Sequence, residues 1–268
     1  MDNKREEIIK SLRLFDDVFM KSCFKNHKEC LELVVRIVLN KPNLEFVQFR
    51  EQDALTNQYG KSAILDFVVR DKDGTFYDVE IESAKKTTSG YQKRARLYSS
   101  LLDTFYLRKG DAYNQMSDSY VIFFCERDLI GKNLPLYEIK SQIQQTGEIF
   151  EDGRTLIFVN GEVEGDSELG RLIRDFKLTN PDNMYYDVLR SARKEEMLNF
   201  LLTTGRPENE LLDAYVQEYE EKGRKEGLSQ GKAEGRLEIA KAMLADGMPA
   251  EMVSKYSSIP VEQLADLK

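Results

Sequence analysis

The sequence predicts an α/β domain with a mixed sheet, followed by an all-helical C-terminal extension. Three observations predict this: five short segments of strand-like composition, a helical segment between the third and fourth of them, and a wholly helical pattern after about residue 180. A helix of that length lets the fourth strand return beside the earlier ones. The chain of 268 residues is long enough for one principal domain of about 150 to 200 residues and an accessory piece.

The N-terminal segment from Glu6 to Asn40 has apolar residues at intervals of three and four. This spacing predicts two amphipathic helices, separated by the polar stretch KNHK at residues 25–28. The five strand-like segments that follow are rich in β-branched and aromatic residues and are bounded by turn residues. They are residues 44–51, 63–70, 75–82, 119–125 and 155–160, and the helical segment covers residues 89–110.

The C-terminal segment contains glycines at every fourth position from 223 to 235, surrounded mostly by charged residues. The charges exclude a membrane-spanning dimer. Two interpretations remain: a solvated helical linker, or a helix whose row of glycines lets a second chain pack closely against it. From Leu237 the pattern of short helices and breaks resembles that of a helix-turn-helix. This segment has three lysines and five acids, however, which favours self-association over DNA binding. We therefore divide the chain into a domain over 1–205, a Gly- and charge-rich helical linker over 206–236, and a small helical module over 237–268.

Composition limits the class of protein further. No apolar run approaches the roughly 18 residues that span a bilayer. The N-terminus has no secretory pattern, and the three cysteines are scattered, so we expect a cytoplasmic protein without a disulfide framework. With His27 as the single histidine, a zinc site would need other ligands, and most mechanisms with imidazole as general base are excluded. No organic cofactor is expected.

The net charge and the local charge distribution point to different conclusions about a nucleic-acid partner. The formal net charge of −8 counts against a polyanionic partner as a long-range average. Residues 85–109, however, form a basic stripe that contains a single acid, Asp103. The basic residues of this stripe are Lys85, Lys86, Lys93, Arg94, Arg96, Arg108 and Lys109.

The segment ILDFVVRDKDGTFYDVEIES contains the most informative pattern. Asp73-Gly74 marks a tight hairpin between two strands, and the second strand carries Asp78, Glu80 and Glu82 on one face. A three-residue turn with Gly74 in the left-handed conformation would place Asp66 directly opposite Glu80, with Cβ atoms about 5 Å apart. Carboxylates that close repel one another unless a cation lies between them, and Mg²⁺ accepts such ligands together with phosphate oxygens. Phosphodiester hydrolysis can use that arrangement.

A second interpretation of the same acids remains open. Acids that alternate with hydrophobic residues along a strand usually mark one solvated face. Asp66 favours the metal site, because it interrupts the apolar run AIL-D-FVV and buried carboxylates are rare unless they are paired or bind a metal.

Four segments together resemble the recombination-promoting nuclease (Rpn) and PD-(D/E)XK transposase-like family. They are DDVFMKSCF at 16–24, the LDFVVRDKDGTFYDVEIE hairpin, the YQKRARLYSSLL helix and the EGLSQGKAEGRLEIAKAMLADGM tail. The resemblance implies a restriction-endonuclease-like αβββαβ core, DNA cleavage that depends on Mg²⁺ or Mn²⁺, and a homodimer or higher homo-oligomer.

The resemblance also implies roles for individual residues. Asp66 and Glu80 match the two metal-binding carboxylates of the D…ExK motif. Glu82 occupies the position that is lysine in the general motif and commonly glutamine in this family; it could serve as a further ligand, but when ionised it would repel phosphate. Arg94 and Tyr98 match the R…Y helix of the family, where the arginine could hold a phosphate bidentately. In the alternative, Tyr91 and Tyr98 are core residues and the charged end of Arg94 extends to solvent.

Two neighbouring features stay outside this predicted site. Lys85 or Lys86 could supply the missing cation, or they could be exposed turn residues. Asp17 matches an acid near the start of the family pattern, but it could equally flank the first helix.

The sequence thus predicts a metal-dependent DNA endonuclease, associated with recombination or transposon-like elements. Two rivals remain. In the first, the glutamate at position 82 has abolished catalysis, and the protein keeps the fold but acts as a DNA-binding or regulatory protein. In the second, the acids are solvated surface and the chain acts in protein interactions through its helical tail.

Overall fold

The computed structural model describes residues 3–55, 63–83, 89–107, 110–203 and 210–265. The chain forms two compact units, Met1–Asn209 and Glu210–Lys268, which are described separately. In the described ranges, none of the helices combines the length and the apolar character needed to cross a membrane.

The N-terminal segment forms three helices: α1 (Asn3–Ser11), α2 (Asp17–Asn26) and α3 (Lys28–Leu39). The break at His27 confirms the predicted one, but the expectation of only two helices was wrong. The additional break precedes α2, where a carboxylate oxygen of Asp16 accepts a hydrogen bond from the backbone N–H of Arg13 at 2.8 Å. Such local bonds compete with helical ones, which explains why the apolar spacing alone did not reveal the interruption.

The sheet confirms the α/β prediction and all five predicted strands. Its strands are β1 (Phe46–Leu55), β2 (Ala63–Asp71), β3 (Phe76–Glu82), β4 (Ser119–Cys125), β5 (Leu136–Ile139) and β6 (Arg154–Asn160), in the order β1-β2-β3-β4-β6-β5. The pairs β3–β4 and β4–β6 are parallel, whereas β1–β2, β2–β3 and β5–β6 are antiparallel. The predicted crossover helix is α4 (Tyr91–Tyr106), which connects β3 to the parallel β4.

Both faces of the sheet are covered. On one face, α4 packs on an apolar cluster that includes Phe123 and Phe158. On the other face, Phe124 lies against Phe15 and Phe176, with ring centroids 5.6 and 4.3 Å away. Phe176 belongs to α5 (Glu168–Lys177), and α6 (Asp187–Thr203) follows it. Strand β3 is therefore buried along its whole length, which is unusual for a strand with three acids.

The second unit consists of α7 (Glu210–Ala245), α8 (Ala250–Ser257) and α9 (Val261–Ala265). Its described part contains a small apolar cluster formed by Ala240, Val253 and Leu264. The turns between the helices contain Gly247 and Ser258, both with positive φ, which ends the preceding helix in each case.

Candidate metal centre

A three-residue turn joins β2 to β3. The backbone N–H of Asp71 donates to the carbonyl of Thr75 at 3.1 Å, and Gly74 between them has a φ of +92°. The Asp71 carboxylate stabilises the turn, because it accepts from the backbone N–H groups of Asp73 and Thr75 at 3.0 and 2.9 Å and from the hydroxyl of Tyr77 at 2.6 Å. The predicted turn, with glycine in the left-handed conformation, is confirmed.

This turn fixes which residues of β2 and β3 face one another. Four residue pairs define the register: Phe67 with Val79, Val68 with Asp78, Val69 with Tyr77 and Arg70 with Phe76. One step beyond the first pair, Asp66 faces Glu80, and the backbone N–H of Asp66 donates to Oε1 of Glu80 at 2.8 Å. The predicted juxtaposition of these two acids is therefore confirmed.

The acids of the two strands are buried. The exposed fractions are 6% for Asp66, 0% for Asp78, 4% for Glu80 and 7% for Glu82. The interpretation of these acids as a solvated strand face is therefore wrong. Carboxyl groups are costly to bury in the ionised form unless they are paired with cations or bound to a metal, so each acid of this cluster needs a cation, a metal or a proton.

Asp66 receives part of that charge from helix α2. Nζ of Lys21 lies 2.8 Å from Oδ1 of Asp66 and 3.0 Å from Oδ1 of Asp17. Burial lowers the pKa of Lys21, but the charges of Asp66 and then Asp17 outweigh it, and the pKa ends above its ordinary value. Lys21 is therefore a charged ammonium group at one of the predicted metal ligands. The site predicted from the sequence did not include Asp17 or Lys21.

Asp78 and Glu80 form the most buried part of the cluster. In the part of the chain that the structure describes, neither oxygen of Asp78 meets an N–H or hydroxyl donor. Burial, followed by the charges of Glu80 and Asp66, raises the pKa of Asp78 well above its usual range. Burial, followed by the charge of Asp66, raises the pKa of Glu80 to about 8. Without a bound cation, these two carboxyl groups retain protons that solvated acids would have lost.

Glu82 is paired with Arg94 of α4 through an ion pair between Oε1 and Nη2. The guanidinium carbon of Arg94 also lies 4.9 Å from the centre of the Phe123 ring, so the arginine is held from two sides. Two residues with separate predicted roles, a metal ligand and a phosphate-binding group, thus contact each other.

Tyr98 lies one turn after Arg94 on α4 and faces the same cluster. Its ring stacks on Phe123 at 6.1 Å, and the guanidinium carbon of Arg94 is 5.8 Å from its centre. Burial, followed by the charge of Glu80, raises the pKa of Tyr98 to about 12. Tyr91, a turn earlier, packs edge-on against Phe158 at 5.3 Å and belongs to the core. Lys85 and Lys86 lie outside the described residues.

The chemistry of these residues fits a hard divalent cation. Carboxylate oxygens are the ligands that Mg²⁺ and Mn²⁺ prefer, Asp66 and Glu80 are adjacent, and the Asp78 carboxylate has no donor in the described part of the chain. Within that part, no three His, Cys, Asp or Glu side chains surround a common point as ready-made ligands. Two of the four acids are instead turned towards their own cations, Asp66 towards Lys21 and Glu82 towards Arg94.

Helices on both faces of a mixed sheet, with buried acids on the antiparallel pair β2 and β3, define a protein of the restriction-endonuclease-like class. Residues 14–163 match the model of the PD-(D/E)XK nuclease family transposase domain, and the chain belongs to this family. The matched region includes α2, all six strands and α4. No curated protein and no solved structure matches the chain. The family resemblance predicted from the sequence is confirmed.

Proposed function

We propose that this protein is a divalent-metal-dependent DNA endonuclease that hydrolyses phosphodiester bonds, associated with recombination or transposon-like elements. The observation that carries the proposal is the buried pair of Asp66 and Glu80, which face one another on neighbouring strands beside a third buried carboxylate, Asp78. Membership of a nuclease family supports it. A structural role alone would leave four buried carboxyl groups in the protein interior without a benefit that offsets the cost of burying them.

Asp66 and Glu80 would hold Mg²⁺ or Mn²⁺. The bound cation would lower the pKa of a water molecule and offset charge on the attacked phosphate. In the hydrolysis, the water oxygen forms a bond to phosphorus while the bond from phosphorus to the leaving sugar oxygen breaks. The water gives up one proton to solvent, and the leaving oxygen takes one up.

Glu82 and Arg94 have linked roles in this proposal. Glu82 can bind a metal through Oε1 only by releasing Arg94, because that oxygen is now paired with the guanidinium. In that arrangement Arg94 would hold a pair of phosphate oxygens through two parallel N–H groups, with Tyr98 beside it, whereas Arg94 stays neutralised if Oε1 keeps the ion pair. The basic stripe continues on α4 with the exposed Lys93 and Arg96, where the DNA backbone would lie.

A specific observation favours a second function, that of a catalytically impaired DNA-binding protein. The position of the motif lysine holds Glu82, and the nearby Arg94 is neutralised by it. In that case the protein would bind DNA but would not cleave it with any divalent metal, which direct comparison of binding and cleavage would show.

Metal binding is the first test of the proposed function. Mn²⁺ and Mg²⁺ would be titrated calorimetrically into the wild-type protein, Asp66→Ala and the control Asp73→Ala. Asp73 is an exposed acid in the same hairpin, so its loss changes the net charge equally. We expect binding in the wild type and the control, and its loss in Asp66→Ala. Equal affinity in all three proteins would refute the assignment of Asp66.

Cleavage is the second test. The same three proteins would be incubated with supercoiled plasmid and each metal, and nicked and linear products would be quantified. We expect nicking by the wild type and the control, and none by Asp66→Ala. An Asp66→Ala variant that nicks at the wild-type rate would exclude this site as the catalytic one.

We also propose that the chain associates with itself through residues 206–268. The support is the terminal unit, which has a small core of its own and exposes Ile239, Met252, Tyr256 and Val261. Apolar side chains in this number on a small helical unit are typical of a contact surface.

A further inference from the structure

The cation that the D…ExK motif places on its second strand is missing at that position in this chain. Residue 82 is a glutamate, and Arg94, the cation it contacts, is bound to it and rests on the Phe123 ring. The Glu82–Arg94 pair is therefore neutral as a unit. A nuclease site of this kind needs a positive group that reaches the attacked phosphate, and a second cation, Lys21, lies at Asp66.

We propose that Lys21 of helix α2 supplies the ammonium group that the motif lysine would provide, and that it contacts the attacked phosphate beside Asp66. This inference rests on the proposed nuclease function and adds a catalytic residue to it. Nζ of Lys21 is 2.8 Å from Oδ1 of Asp66, the carboxylate predicted to bind the metal. Lys21 precedes Asp66 by 45 positions in the chain and reaches the site from helix α2, whereas the motif lysine would come from strand β3.

The geometry of the ammonium group leaves room for a substrate contact. Lys21 has three N–H donors, and its contacts in the described part of the chain are to two carboxylates, Asp66 and Asp17. Its side chain is 28% exposed, so the third donor can be reached from solvent. A non-bridging phosphate oxygen is a strong acceptor for such a donor.

Asp17 acts as a positioning residue for Lys21. It lies four residues earlier on the same helix and holds Nζ at 3.0 Å. When a divalent cation takes up the charge of Asp66, the attraction between Asp66 and Lys21 weakens, while the contact to Asp17 remains. Lys21 would then stay at the site with its charge available to the phosphate. Arg94 lacks this freedom as long as Glu82 holds it.

The test uses the full-length protein and four variants: Lys21→Met, Lys21→Arg, Lys25→Met and the double variant Lys21→Met/Glu82→Lys. Lys25 is an exposed lysine one turn later on α2, so Lys25→Met removes the same charge from the same helix. Each protein would be assayed for plasmid nicking with Mn²⁺, for Mn²⁺ affinity by calorimetry and for its melting temperature.

We expect Lys21→Met to slow nicking by about 100-fold, the typical effect of removing one donor that stabilises developing charge. Its Mn²⁺ affinity should be equal to that of the wild type or tighter, because the ammonium group competes with the metal for Asp66. Lys25→Met should behave as the wild type. Lys21→Arg should retain more activity than Lys21→Met, and the double variant should recover at least about ten-fold, because the lysine is returned to the motif position.

Four results would overturn the inference, and they can be told apart. If Lys21→Met nicks at the wild-type rate, or if the double variant stays as slow as Lys21→Met, Lys21 does not perform the role of the motif lysine. If Lys21→Met loses Mn²⁺ binding together with thermal stability, Lys21 is a structural partner of Asp66. If the wild type itself does not nick the plasmid with Mn²⁺ or Mg²⁺, the proposed nuclease function fails, and the inference fails with it.

Discussion

The metal-free protein should lose stability as the pH rises from about 5.5 to about 7.5, because Asp78 and Glu80 both have raised pKa values, and Glu80→Gln should remove the share of that loss that Glu80 causes. Burial and the charge of Asp66 raise the pKa of Glu80 from 4.5 to about 8 in the folded chain. The folded state therefore retains a proton that the unfolded state releases. The stability that this proton maintains is full at pH values below the unfolded pKa and decreases as the pH rises towards the folded pKa.

The size of the effect follows from the number of protons involved. One proton changes the free energy of unfolding by about 1.4 kcal/mol per pH unit inside this window. For the proton on Glu80, two pH units therefore correspond to about 3 kcal/mol, or a decrease of about 6 to 10 °C in melting temperature for a domain of about 200 residues. Glutamine keeps the oxygen that accepts from the backbone N–H of Asp66, so Glu80→Gln should fold, and its stability should vary less with pH than that of the wild type.

The assay is urea unfolding in the presence of a chelator at both pH values. The wild type would be compared with Glu80→Gln and with Glu151→Gln, which changes an exposed glutamate of the same unit. Added Mn²⁺ should restore the stability of the wild type at the higher pH and should leave Glu80→Gln unchanged. Identical pH dependence in the wild type and Glu80→Gln would show that Glu80 does not hold the proton.

Three further predictions concern the ion pair, the turn and the terminal unit. Arg94→Met leaves the buried Glu82 without its cation and should cost about 3 kcal/mol in urea unfolding. The double variant Arg94→Met/Glu82→Met should recover most of that loss, and a double variant as unstable as the single one would contradict the pairing. Gly74→Ala, at a φ of +92°, should lower the free energy of unfolding by about 1 to 2 kcal/mol. Gly165→Ala, where an added Cβ meets no atom within 4 Å, should change it by less than about 0.5 kcal/mol, and equal effects would count against backbone strain at the turn. In sedimentation velocity, a chain truncated after residue 204 should be a monomer and the full chain an oligomer; equal subunit counts would exclude self-association through the tail.

The sequence was sufficient to predict the sheet where local composition and turn chemistry agreed. The five longer strands have enough β-branched and aromatic residues to be recognised, and Gly74 defined the hairpin closely enough to give its register. Strand β5 was missed because its four residues are too few to form a pattern. The break before α2 was missed because it depends on a side-chain hydrogen bond of Asp16, which apolar spacing does not report.

The site was predictable only as far as it lies on one hairpin. The juxtaposition of Asp66 and Glu80 followed from strand alternation and turn length. Asp78 was placed on the correct face, but its burial depends on the packing of distant elements and could not be inferred from the strand itself. Lys21 comes from another helix, although its spacing of four residues from Asp17 was a readable signal.

The contact between Phe124 and α5 has a consequence for how the chain can be divided. The match to the family ends at residue 163, but Phe176 lies beyond it and packs on Phe15, Phe24 and Phe124. Phe200 of α6 likewise packs on Phe19 of α2, the helix that carries Lys21. A protein cut at the family boundary would expose one apolar face of its sheet to water and would tend to aggregate. The smallest piece that folds is therefore longer than the piece that identifies the family, and work on the isolated first unit should retain the chain to the end of α6.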